Sequence, residues 1–458
     1  MSTILTILFF LTLLFIALFG QTKARFTAIF MGLLFFPHII AFRNSPYISP
    51  HTLLLYLPLF MEYFKAPSSF KTALKEFPLK VPLFIFSVTC AITAAHISGG
   101  TAKNLYDMFR YAFDTYAFFF LAYWFGLHLS VKEMTRMFFP PLVIFASLGF
   151  IEFLIGANYP YKMICSSFPV YQGIYDLNSS ISLSQDWRSR ICITTHHPNT
   201  LVPMLLSIIF LWLPIFKQIR TKEKILFCGL FALVFIAGSR TGIVCLAGLM
   251  AIYATRKLPI IAKAAIIFFV LLFLSYHIYN FIDYFNSGKG SSLDMRQEQL
   301  LFALAMFFHD PIFGNGTGYM ADNIFEVDAY GEKKLINSSI GALESFLFRL
   351  LIDFGVIGLF AQVVIIGFLC FYFYKRRKTC TAALSGLYIT LATYIFVFLA
   401  GDSAGTFRFT FLIIGLCLGN CHTHDEEQAR LEEEKNAAHL ESDGSNESNL
   451  SDERPSLN

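Results

Sequence analysis

One short turn of this sequence has the makings of an anion site. Gly238-Ser239-Arg240-Thr241-Gly242 joins two apolar stretches, and no acidic neighbour in sequence stands ready to neutralise Arg240. A guanidinium stays charged, and its planar fork grips phosphate oxygens two at a time. Glycines on either side let the backbone come close to a ligand, and Ser239 and Thr241 put hydroxyls beside the charge. An unpaired arginine in such a place calls for an anion. Asp114, Glu152, Asp402 and Arg408 also sit toward the ends of apolar stretches. Snorkelling to the interface accounts for Asp402 and Arg408; otherwise these charges would ring a polar site together with Arg240.

Other signals point less far. Gly314-Asn315-Gly316-Thr317-Gly318 resembles a nucleotide-binding turn in composition only; no strand precedes it and no βαβ unit surrounds it, so it reads as a glycine turn. His196 and His197 are adjacent and point in different directions, which favours a capping or hydrogen-bonding role near the start of a helix. Cys421-His422-Thr423-His424 has no further ligands at metal-site spacing, and the sequence predicts no metal and no cofactor there. Tyr159, Tyr161, Tyr171 and Tyr175 suit stacking on sugar rings and interfacial anchoring equally.

The elements that position these residues follow from composition. Of 458 residues, 56% are apolar and 14% charged, against about a quarter charged in soluble globular chains. The apolar residues come in blocks of membrane-span length, the pattern of a helical bundle rather than a barrel. They predict an all-α polytopic membrane protein of about 12–13 transmembrane helices with two large extracytoplasmic loops. The blocks fall at about residues 4–20, 26–42, 52–64, 79–98, 111–129, 137–157, 197–216, 225–238, 241–254, 260–279, 355–374, 380–399 and 407–419. The first lacks the basic start of a cleavable signal and is read as a span. The weakest is 52–64, short and interrupted by Pro58.

With the start outside, the inward segments hold nineteen basic residues, including Lys375-Arg376-Arg377-Lys378, against 13 outside, which lie mostly in long loops where charge carries little topological weight. The organisation is therefore N-terminal helices over 1–157, a first extracytoplasmic loop over 158–196, central helices with the outer arginine hairpin over 197–279, a second loop over 280–354, C-terminal helices over 355–420 and a cytoplasmic tail over 421–458. The tail carries 11 acidic and 3 basic residues and is expected to be disordered. In the second loop, Leu293, Leu300, Leu301, Leu304, Phe307 and Phe308 form an apolar stripe at helical spacing, set against the membrane surface or the bundle and ending at His309-Asp310-Pro311. Cys165 and Cys192 are the only cysteines in an outward loop; a disulfide, worth roughly 3–4 kcal/mol, and two separate thiols are both compatible with their spacing. Ionisable residues are nearly absent from the span centres, which speaks against an ion-coupled transporter.

The order of motifs carries a resemblance. An outer loop ends in Arg190 and His197-Pro198-Asn199; the glycine-flanked Arg240 turn follows; then come Arg296 on an amphipathic helix, the His309–Gly318 run, Glu344-Ser345-Phe346-Leu347 and Phe354-Gly355-Val356-Ile357-Gly358-Leu359. Over about residues 185–375 this resembles the O-antigen ligase and polysaccharide polymerase superfamily. Members transfer a glycan from an undecaprenyl diphosphate carrier to an acceptor sugar on the outer side of the bacterial inner membrane. The resemblance implies that chemistry here, with Arg240 and Arg296 on the diphosphate and Arg190, His197, Asn199, Ser239 and Thr241 lining the substrate site. Its partners would be the carrier-linked oligosaccharide, a glycan acceptor, membrane lipids and other polysaccharide assembly proteins, with no nucleic acid. Where lipopolysaccharide ligases have a histidine, this chain has Glu344, a carboxylate able to deprotonate an acceptor hydroxyl if partial burial raises its pKa. That departure favours a repeat-unit polymerase of metal-independent, inverting type over a ligase. A flippase of the same lipid-linked oligosaccharide is the rival from another class, and the empty span centres argue against it.

Overall fold

The structure, a computed structural model, describes residues 2–37, 40, 43–44, 47–96, 113, 116–167, 184–185, 188–189, 191–195, 197–256, 258–259, 262, 291–316, 325–327, 333–335, 345–400 and 403–450. It is an all-α polytopic membrane protein. Twelve of the thirteen predicted stretches coincide with helices, and nearly all of the remaining one, 260–279, lies outside the described residues. Among the described residues four helices are long and apolar enough to cross a membrane unaided: Val131–Ile155, Pro198–Ile215, Phe346–Arg376 and Thr381–Leu399. The bent pair Pro67–Glu76 and Lys80–His96, which meet at 80°, makes a fifth when taken as one span. Three antiparallel hairpins of two or three residues per strand are the only sheet structure among the described residues.

The architecture centres on Pro198–Trp212. Nearly every side chain of this helix is buried, as expected of a helix that is apolar all round. Thr221–Ile236, Arg240–Thr255, Thr381–Ala400 and Ser403–Leu450 pack around it. Close approach comes from small residues: a Cβ at Gly415 would stand 2.4 Å from the Phe119 carbonyl oxygen, and one at Gly419 2.4 Å from that of Tyr123, so the Ser403 helix meets Tyr116–Gly126 backbone to backbone. Asn420 locks the contact. Its amide donates to the carbonyls of Gly126 (3.1 Å) and Leu129 (2.7 Å), and its oxygen accepts from Val131 N at 3.0 Å.

Helix ends follow ordinary capping chemistry. Ser49 accepts from Thr52 N ahead of Pro50, and Ser130 and Glu133 form a reciprocal capping box. Near the same end, Arg25 is buried against Glu62, whose second oxygen accepts from Trp124 Nε1 at 3.0 Å. Pro67–Glu76 turns its apolar side, Phe70 and Ala73, onto the bundle, with Phe70 against Phe120 and Trp124; Lys71, Lys75 and Glu76 stay exposed.

Two expectations change. The last helix does not give way to a disordered tail at residue 421 but runs from Ser403 to Leu450. Residues 425–440 are rich in Glu, Gln, Ala, Leu, Lys and Arg, which are strong helix formers, and Arg430 has Glu426 and Glu434 four residues to either side. A composition that keeps a segment in water does not prevent it from extending a helix already nucleated in the bundle. The second change concerns the stripe in the second loop. Its helix, Ser291–His309, ends where proline was expected to stop it, but Leu300, Leu301, Leu304 and Phe308 are exposed, while Gln299 and Ala303 face the protein. Of the stripe's described side chains only Phe307 is half-buried, so the stripe turns mainly away from the bundle.

Candidate functional site

The arginine turn is built residue by residue. Gly238, at φ +67°, ends the preceding helix in the left-handed region. Ser239 caps the next helix, its hydroxyl accepting from Gly242 N at 3.3 Å. Arg240 is the first helical residue and is exposed, while Thr241 beside it is half-buried. Gly242 is where the helix presses on the central one: a Cβ there would stand 2.4 Å from Val202 Cγ1.

The His197-Pro198-Asn199 motif meets this turn. His197 caps the central helix, its Nδ1 accepting from Asn199 N at 3.1 Å, which is the capping role expected for it. Asn199 Oδ1 accepts from Ser239 Oγ at 3.4 Å. Two helix N-termini are thus joined side by side, each turning the positive end of a helix dipole toward the same spot. Neither helix has an acidic residue in its first turn. A cation at a helix N-terminus normally costs about 0.3–1 kcal/mol, yet Arg240 stands at this one and makes no ion pair with any described residue. The arrangement concentrates positive potential at one spot, which suits a multiply charged anion.

The segment leading into His197 is held by Glu152. Its two carboxylate oxygens accept from Cys192 N at 2.9 Å and Ile193 N at 2.6 Å. Ile193 has φ +57°, a rare conformation for a β-branched residue, and the paired acceptors hold it there. Thr194 then donates to the Leu34 carbonyl at 2.6 Å. Glu152 therefore shapes the loop instead of ringing the polar site, as its position in the sequence had suggested. Cys165 and Cys192 are both buried and no disulfide joins them, the arrangement of two separate thiols.

The start of Phe346–Arg376 stands at the same end of the bundle. Ser345 Oγ donates to the Phe398 carbonyl at 2.5 Å, and Phe396, two residues earlier, borders Gly242. Glu344, immediately before Ser345, lies outside the described residues, as do Arg190, Asp114 and Asp402. For Arg296 only the backbone is described, within Ser291–His309. The expected pair of Arg349 and Asp353 is present at 3.6 Å, with Asp353 buried.

A clasp next to this region was invisible as such in the sequence. Phe346–Arg376 is broken at Gly355, with φ +61° and ψ −158°. The backbone groups freed by the break bond to the run after His309. Val356 N donates to the Pro311 carbonyl (2.9 Å) and Ile357 N to that of Ile312 (3.3 Å); in return Asn315 N donates to the Ile352 carbonyl (2.7 Å) and Gly316 N to that of Asp353 (3.0 Å). Asn315 Nδ2 reaches the Met306 carbonyl, and its Oδ1 lies 3.0 Å from His309 Nδ1. His96 Nε2 lies 2.6 Å from Asp310 Oδ2. Irregular backbone inside a membrane helix persists only where such partners satisfy it. The glycine run is thus a brace for a broken helix. The signal available in the sequence was Asn315 between glycines, with Gly355 interrupting an apolar run.

The fold and the site together define a multi-pass membrane protein that presents an arginine and paired helix N-termini at one end of its bundle. A family model described as O-Antigen ligase matches residues 225–363. That stretch takes in Arg240, Arg296, Glu344 and both halves of the clasp, and leaves Arg190, His197 and Asn199 outside it. Over this stretch, less than half of its length, the chain is similar to the O-antigen ligase family. No curated protein matches it significantly.

Proposed function

We propose that this protein is an outer-leaflet glycosyltransferase that polymerises undecaprenyl-diphosphate-linked oligosaccharide repeat units into O-antigen, capsule or exopolysaccharide. The observation that carries the reading is Arg240, exposed and without an ion pair among the described residues, at a helix N-terminus joined to a second one through Asn199 and Ser239. The excess of basic residues in the opposite segments orients this end toward the periplasmic side of the bacterial inner membrane.

In this reading the acceptor hydroxyl oxygen attacks the anomeric carbon of the carrier-linked sugar as the bond to the diphosphate oxygen breaks, with inversion. The proton passes to Glu344, the general base. The electron pair leaves with the diphosphate, and the negative charge that builds there is met by Arg240, by Arg296 and by the two helix N-termini. Ser239, Thr241, His197, Asn199 and Arg190 line the approach of the glycan. Arginine supplies the charge without a metal ion. The ligase reading keeps the same donor site and changes the acceptor to lipid A core; the ligase description of the matched family favours it, and Glu344 in place of histidine favours the polymerase.

Glycan profiles of cells lacking the protein, complemented with wild type, Arg240→Ala or Glu344→Gln, test the proposal. Single repeats without long chains in the deletion strain support polymerisation. Long chains accumulating on the carrier without transfer would identify a ligase, and normal chain length with Arg240→Ala would remove the assigned role of that residue.

A further inference from the structure

At the end of the bundle opposite Arg240, the last helix passes the bent pair, and three side chains from distant parts of the chain converge. Glu76 ends Pro67–Glu76; His422 and Glu426 stand one turn apart on Ser403–Leu450. We propose that Glu76, His422 and Glu426 bind a divalent transition-metal cation of the Zn2+ type and that this ion fastens the extended tail helix to the bundle.

The distances argue for a shared cation over a simple hydrogen-bonded pair. His422 Nε2 lies 3.4 Å from Glu76 Oε2 and 3.3 Å from Glu426 Oε1. The nitrogen is shielded from solvent and has no hydrogen-bond partner in either carboxylate. A charge-assisted N–H···O bond would be about 2.7–2.9 Å. Two ligand atoms on one tetrahedral cation, each bonded at about 2.0–2.1 Å, are instead separated by the tetrahedron edge, about 3.3–3.4 Å. All three ligand atoms lie within 4.8 Å of one another. One imidazole nitrogen and two carboxylates form a borderline donor set, suited to Zn2+ and its neighbours rather than to Mg2+ or Ca2+, which take oxygen.

The surroundings fit a three-ligand site with one open position. A cavity of about 460 Å³ lies beside it, lined by Ser68, Thr72, Glu76, His128, Thr423 and Glu426 among others, and a water molecule or small anion could complete the shell from there. His422 is also backed by the Tyr123 ring, with centroids 5.9 Å apart. Thr423 Oγ1 (to the Leu127 carbonyl, 3.3 Å) and Arg376 (to Asp425, 2.6 Å) already hold this stretch of helix, so the ligands sit on a positioned segment. Residues 427–437 of the helix are exposed, and an ion at its last docked turn would set how far it stays fixed.

The full chain, carried on a tag without histidine and stripped with EDTA, is titrated with Zn2+ in detergent by calorimetry, alongside Glu76→Gln and Glu426→Gln. Size-exclusion profiles confirm that the variants remain folded. We expect one Zn2+ per chain, weakened about a hundredfold by either substitution, which corresponds to about 2.7 kcal/mol of binding free energy. Co2+ in place of Zn2+ should give the visible bands of a tetrahedral ion in the wild type and lose them in Glu76→Gln. Absence of stoichiometric binding would overturn the proposal and leave Glu76, His422 and Glu426 as neighbours with no ion between them. Binding equally tight in Glu76→Gln would also overturn it, because it would place the ion at other ligands such as the nearby cysteines.

Discussion

Gly355→Ala tests the clasp most directly. At φ +61° and ψ −158° an alanine occupies a region that is essentially reserved for glycine, at a cost of about 1–3 kcal/mol. Its Cβ would stand 2.5 Å from the Ile312 carbonyl oxygen and 2.8 Å from Gly314 N. Those atoms belong to backbone, so the 311–316 segment has to move. The bonds from Val356 N to Pro311 and from Ile357 N to Ile312 are then lost, at about 1 kcal/mol each. The sum is about 3–5 kcal/mol, a large fraction of the stability of an ordinary domain. Gly367→Ala in the same helix is the matched control, because nothing lies within 4 Å of a Cβ there; it should be neutral or stabilising by up to about 1 kcal/mol. Thermal denaturation of the detergent-solubilised protein, with amide exchange of 312–316 as the local readout, should show early melting and fast exchange for Gly355→Ala alone. Wild-type melting and exchange in that variant would refute the account of the break and its brace.

Glu152→Gln replaces one acceptor oxygen by a donor facing a backbone N–H of Cys192 or Ile193. It should cost about 1–3 kcal/mol, and polymer should fall with the protein still in the membrane; unchanged stability and product would show that the segment before His197 holds its shape without the carboxylate. Arg240→Lys keeps the charge and loses the fork, so chain length should fall markedly at an unaltered protein level, and wild-type glycan profiles would reduce Arg240 to a point charge. Burial pushes the Cys165 thiol up to about 12, well above neutral pH, so it stays protonated and unreactive in the folded protein. Maleimide should reach Cys165 and Cys192 only after denaturation, with the same yield before and after reductant; a gain on reduction would establish the disulfide.

The helices were legible in the sequence because their signals are local. Apolar blocks of span length and Pro311 after His309 each act within a few residues, and the helices they predict reappear at their expected places. Arg240 was legible for the same reason: a charge between glycines in an apolar hairpin contradicts its surroundings wherever the rest of the chain goes. The apolar stripe at 300–308 shows the limit of such signals, since periodicity marks a face without saying what covers it, and only packing revealed that Gln299 and Ala303 turn inward. The tail shows it again, because charge density predicts solvation equally for a coil and for an exposed helix.

What the tertiary structure alone decided are the meetings of residues far apart in the chain. Glu152 reaches the backbone of Cys192 and Ile193, Asn199 reaches Ser239, and the glycine run at 314–316 closes on the break at Gly355. The absence of nearby ligands argued against a metal at His422, and the fold brings Glu76 to within 3.4 Å of it. Sequence separation carries no information about such encounters. They depend on how whole helices pack, and packing is chosen by the summed burial of the bundle, to which no single motif contributes more than a small part.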